Sequence, residues 1–113
     1  MDKPEVKITG PQEGKTVSVV GDTYRILTTG ASNNGSMGCI DMLIPPGGGP
    51  GPHAHPDFHE FFYIIEGELI VRAEGQEAYV AKKGAFVEIT KGGIIHNFKN
   101  EGDGVALILL FVT

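Results

Sequence analysis

Four residues of this chain have the types and spacing to hold a metal ion. His53 and His55 are two apart, so in an extended segment their side chains leave the same face, with α-carbons roughly 6.6 Å apart. Two imidazoles leaning together can share one ion. A four-residue turn, Pro-Asp-Phe-His, then reverses the chain, and Glu60 opens the next apolar run, where its carboxylate can face the same point across a strand ladder. His96 lies farther along, in another strand-like run. It adds a fourth donor of the kind that Fe, Mn, Ni, Cu and Zn accept.

Such donors are useful only if rigid elements aim them. The chain carries 17 Gly and 7 Pro, and between these turn-formers its apolar and β-branched residues fall in short runs with no helical period. Strands are expected at 16–20, 22–29, 37–44, 60–65, 68–74, 77–82, 85–90, 94–100 and 105–112, with turns at GASNNGS, EGE, EGQ, KKG, TKGG and NEGDG. Many short strands at close spacing predict an all-β sandwich or barrel. The stretch Pro45–Pro52, PPGGGPGP, leads directly into His53. Proline stiffens such a loop while glycine lets it take positive φ and approach the barrel closely, so the stretch presents His53 rather than linking two domains.

At this point the chain resembles a known family, the cupins, and within it the small single-domain, quercetinase-like metal cupins. Gly47, five residues, His53, Ala54, His55, four residues, Glu60, six residues and Gly67 match the first cupin motif at each defining position. Gly84 begins the second motif, and His96, three residues and Asn100 end it. Thr90 stands where the family usually has proline, and one extra residue separates Gly84 from His96. The resemblance implies a double-stranded β-helix, the cupin jelly-roll barrel. It implies one domain over 1–113, with a core over about 36–113 and N-terminal strands over 5–30. It further implies one divalent transition metal held inside by His53, His55, Glu60 and His96.

Alternation places Phe62 and Ile64 on the face of Glu60 and Phe98 on the face of His96, and Val87 and Ile89 occupy positions that point inward in cupins. These five residues are expected to line an apolar substrate pocket. Arg72, Glu88 and Lys99 point elsewhere by the same parity, which leaves Glu60 as the expected proton acceptor. His59, next to Glu60, is expected outside the barrel, Asp57 in the turn, and Cys39 as a small buried hydrophobe, with a pocket-lining role as the second reading. A divalent ion on three neutral imidazoles and one carboxylate keeps a net charge of +1, and an octahedral ion keeps two open positions. A mononuclear metal-dependent dioxygenase acting on a small organic molecule fits that site. A binding or sensing module without turnover fits it as well, as does a non-redox isomerase or decarboxylase. Zinc held tetrahedrally by all four side chains would instead be structural.

Composition narrows the remaining classes. At 113 residues, with 41% hydrophobic and 20% charged residues, the chain is expected to form one ordinary globular domain. The formal charge is −5 and the nine Lys and Arg residues are scattered, so no nucleic-acid partner is expected, because that affinity needs clustered cations. Cys39 is the only cysteine, which excludes an intrachain disulfide. MDKPEVKITG lacks a signal-type apolar core, and VALILLFV at 105–112 is too short to span a membrane. A cytoplasmic location is expected. Phe61, Tyr63 and Ile65 lie opposite the pocket side of their strand, an apolar face that predicts a homodimer.

Overall fold

A computed structural model describes residues 4–19, 21–32, 35 and 37–113. Val20, in the first expected strand, and Asn33, Asn34 and Ser36, in the first expected turn, lie outside the described residues. The alternating runs become strands β1 (Thr16–Val19), β2 (Asp22–Thr28), β3 (Gly38–Ile44), β4 (Glu60–Glu66), β5 (Glu68–Ala73), β6 (Tyr79–Lys82), β7 (Phe86–Ile89), β8 (His96–Lys99) and β9 (Ala106–Val112). Several are a residue or two shorter than expected. The largest trimming is at β8, where Asn100 leaves the strand to bond the next turn: its side-chain amide donates to Ile44 O and Gly104 O, and its Oδ1 accepts from Gly102 N–H.

Among the described residues the strands form two antiparallel sheets, one of six in the order β1-β2-β3-β9-β4-β7 and one of three in the order β6-β5-β8. Together they make a jelly-roll barrel. Among the described residues no helix is long and apolar enough to cross a membrane.

Period-two alternation puts one apolar row of each strand between the sheets. Ile44, Phe62, Ile64, Leu69 and Ile108 lose all solvent contact there, each burial contributing roughly 1.5–3 kcal/mol before chain entropy is charged against it. Gly67 makes the turn from β4 to β5 possible. Its φ is +78° and a β-carbon would sit 2.7 Å from Val105 O, so a larger residue would be strained there. On the outer face of the six-stranded sheet, Arg25 donates from Nε and an Nη to Asp41 Oδ2 at 3.0 and 2.7 Å. Its other Nη donates to Gly10 O and Glu13 O, which ties the N-terminal segment to β2.

Candidate metal centre

The Gly-Pro stretch is a ribbon laid antiparallel along β8. Gly47 N–H donates to Asn100 O, Asn100 N–H to Gly48 O, His53 N–H to His96 O and His96 N–H to His53 O, at 2.7–3.0 Å. Gly49, with φ +120°, passes so close to the backbone of Phe98 and Lys99 that a β-carbon would collide with it. Prolines donate nothing to a ladder. The pairing is therefore limited to the two ends of the ribbon, and the second end carries His53.

This arrangement brings together all four residues singled out by spacing. His53, His55, Glu60 and His96 offer ligand atoms that lie within 4.8 Å of one another. An ion with donors at about 2.1 Å holds opposite donors about 4.2 Å apart, so the group is of the size that closes on one ion. The extra residue before His96 does not displace it. The turn that precedes it carries Gly92 and Gly93, both at positive φ.

The protonation pattern also fits. His53 Nδ1–H donates to Gly51 O at 2.8 Å and His96 Nδ1–H to Ile94 O at 2.9 Å. A carbonyl can only accept, so in each neutral ring Nε2 carries the lone pair. His55 Nε2 lies 2.7 Å from Glu60 Oε1 and 3.1 Å from His96 Nε2. Three ring nitrogens and a carboxylate oxygen thus converge where a cation would neutralise them. His55, Glu60 and His96 are buried, and His53 is the least buried of the four. His55 Nδ1 is buried with no hydrogen-bond partner. The His55 ring is oriented instead by Phe58, stacked on it at 4.3 Å and 12°.

A cavity of about 440 Å³ opens on His53, His55 and Glu60, walled by Tyr24, Met42, Phe58, Phe98, Leu110 and their neighbours. Of the five residues expected to line a pocket, only Phe98 belongs to it. Val87 and Ile89 line a different cavity, of about 330 Å³, which meets the group from the other side at His96. Phe62 and Ile64 have no exposed surface and belong to the core. Strand parity gives the face of a side chain but not its depth. Val87 and Ile89 face the space between the sheets, with Ile89 across the ladder from Glu60.

Tyr24 and Phe58 are wall residues that sequence reasoning missed. Burial, and then the charge of Asp22, push the Tyr24 phenol up, so it remains a hydrogen-bond donor at the cavity wall. Alternation in DTYRILTT shows that Tyr24 shares a face with Asp22 and Ile26, but nothing local shows that this face looks at the metal group. Asp22 is buried with Oδ1 unpartnered. Its carboxyl is pushed up by burial and pulled partly back by the Gly49 amide, and a side chain on Gly48 would strike it.

His59 lies outside the barrel, with Nε2 2.7 Å from Glu88 Oε2 and its ring stacked on Phe61. Asp57 is an exposed turn residue. Cys39 is half-buried rather than buried, its thiol pushed up by burial and then by Asp41.

Comparison with known proteins bears on the same residues. The family model of the cupin domain matches residues 40–113. The tetracenomycin polyketide synthase protein TcmJ of Streptomyces glaucescens is 30% identical over 95 residues, which cover 82% of this chain and 61% of that protein. The chain therefore spans under two thirds of that relative. The polyketide synthase protein CurC of Streptomyces cyaneus is 28% identical over 115 residues, covering 100% of this chain and 73% of that one. Among solved structures, a predicted oxalate decarboxylase from Thermotoga maritima superposes with a TM-score of 0.84 at 20% identity, over 94% of this chain and 97% of the other. At that identity the likeness is one of fold alone.

Proposed function

The chain belongs to the cupin family, and from that premise we propose that it is a mononuclear metal-dependent oxygenase of a small, electron-rich, chelating substrate. His53, His55, Glu60 and His96 would hold one divalent ion, from among Fe, Mn, Ni, Cu and Zn. The observation that carries this reading is the pair of Nδ1–H···O=C bonds that leave Nε2 of His53 and His96 as the lone-pair nitrogen, in a group whose ligand atoms lie within 4.8 Å of one another. Bound there, the ion would supply Lewis acidity and, if redox-active, electron transfer with O₂.

The chain's own side chains supply the rest. Glu60, 5% exposed at the base of the cavity, ligates and accepts the hydroxyl proton of an arriving chelator. The Tyr24 phenol donates a hydrogen bond to a substrate oxygen. Phe58, Met42 and Phe98 exclude water and select a flat apolar body. Similarity to two polyketide synthase proteins supports such a substrate, because polyketide-derived rings carry oxygens spaced to chelate.

The working unit is a cytoplasmic homodimer joined through the outer face of β4, β7 and β9. Phe61 packs against Phe86 and Phe111 there, and Tyr63 and Phe86 are 43% and 55% exposed. Such a contiguous apolar face favours a protein partner.

One observation favours a second reading. Beyond Glu60 and Tyr24 the cavity walls are apolar apart from the imidazoles themselves, which suits a module that binds its ligand without turnover, or a non-redox enzyme. Loading each metal in turn and following O₂ uptake with phenolic, thiol and diketone compounds separates the readings. O₂ consumption with product supports the oxygenase. Tight binding with no O₂ consumption for any metal sinks it.

A further inference from the structure

The cavity beside the four donors does not end at its own walls. Ile40, Leu110 and Val112 line it, and the same three residues line a second cavity of about 390 Å³ that continues past Ile26 and Thr28 to Gly30 and Gly38. The shared residues set the two spaces side by side as a trough along the inner face of β2, β3 and β9. The cause is topological. A sheet of three strands cannot cover a sheet of six, so the inner faces of β1 and β2 remain open, with Val17 and Val19 37% and 39% exposed and Ile26 half-buried. The far end sits where the β2–β3 register shifts between Ile26 and Thr28, an irregularity in the ladder.

The two ends differ in chemistry. One opens on the donors His53, His55 and Glu60, and the walls of the other are mainly apolar, Ile26, Ile40, Leu110 and Val112 beside Cys39, Thr28 and Thr29. Either space alone lies in the range that seats a drug-sized molecule, roughly 300–1,000 Å³. A one-ring chelator would leave the far space as water held against apolar walls, which disfavours it relative to a ligand that displaces that water. We infer that the ligand is an elongated, multi-ring or long-bodied apolar molecule with a chelating edge at one end only. The edge lies at the four donors and the body runs over Ile40, Leu110 and Val112 to Ile26. The inference rests on the proposed metal-binding function for its anchored end alone.

A ring series tests it: catechol, 2,3-dihydroxynaphthalene and alizarin present the same ortho-dihydroxy edge on one, two and three fused rings. Their affinities are measured by calorimetry for the zinc-loaded protein, where no redox turnover intervenes, and for the metal-free protein. Affinity should rise on the order of tenfold for each added ring. Ile26→Trp, which fills the far space, should make the three affinities converge, and Ile26→Phe provides a smaller block should the Trp variant fail to fold. Equal affinities across the series, no alizarin binding to either form, or undiminished alizarin affinity in a folded Ile26 variant would each overturn the inference. Ring-dependent, Ile26-sensitive binding that is identical with and without zinc would uphold the trough while removing the metal from ligand binding.

Discussion

His53 and His96 are a bridged pair: each donates its backbone N–H to the other's carbonyl, at 3.0 and 2.9 Å, and their rings stand 4.5 Å apart. The donor from the first motif and the donor from the second are therefore fixed to each other by backbone, before any ion is bound. This rigid pairing pre-organises the group.

Replacing His96 with Ala removes one of the four donors while leaving that backbone bridge in place. Metal affinity should fall by more than about 100-fold, since even loss of an outer-shell partner costs 10–100-fold. Strand content by circular dichroism should be retained. Stoichiometric metal by elemental analysis in the purified variant would take His96 out of the ligand set.

Gly49 is the point of closest contact between the ribbon and β8, at φ +120° against the backbone of Phe98. Gly49→Ala should lower stability by about 1–3 kcal/mol and weaken metal binding, because the ribbon that carries His53 must shift. Gly51→Ala is the control, as a β-carbon there meets nothing within 4 Å. Equal melting temperatures for the two variants would contradict the ribbon's role.

Asp22 predicts a pH dependence of stability. Burial raises its folded pKa above the ordinary 3.8, so the native state holds that proton more tightly than the unfolded chain does. The contribution of the group to stability is then greatest below 3.8 and is lost as pH rises through the raised folded value. Relative to Asp22→Asn, which does not titrate, the wild type should gain stability as pH is lowered through that window. Denaturant unfolding at a series of pH values measures the difference. A difference that stays constant, or that shrinks on acidification, refutes it.

Glu60→Gln keeps an oxygen donor for the ion but removes the proton acceptor. If Glu60 has both roles, turnover should drop by on the order of 100-fold or more with a smaller loss of metal. Parallel losses of metal and turnover would leave Glu60 as a ligand only.

Sedimentation should give a dimer, and Phe86→Lys, on the exposed outer face, should give a monomer with its metal site intact. A wild-type species of 12.0 kDa at micromolar concentration would rule the dimer out.

Local chemistry made the strands, the cluster of four donors and the outward position of His59 legible in the sequence. Side chains alternate with period two, Gly and Pro punctuate the runs, and His-x-His followed by Glu60 is a local pattern. Depth, cavity shape and neighbours across the barrel were not legible. Phe62 and Val87 both point inward, yet Phe62 is wholly buried in the core and Val87 lines a cavity on the far side of His96. Which of them meets open space depends on where the two sheets diverge, and that follows from strand pairings between residues far apart in the chain. The same holds for Tyr24, which reaches the site because β2 pairs with β3 and β3 with β9. The unequal sheets, six strands against three, likewise open the trough only when the whole chain has folded, since no run of residues records how many strands will cover it.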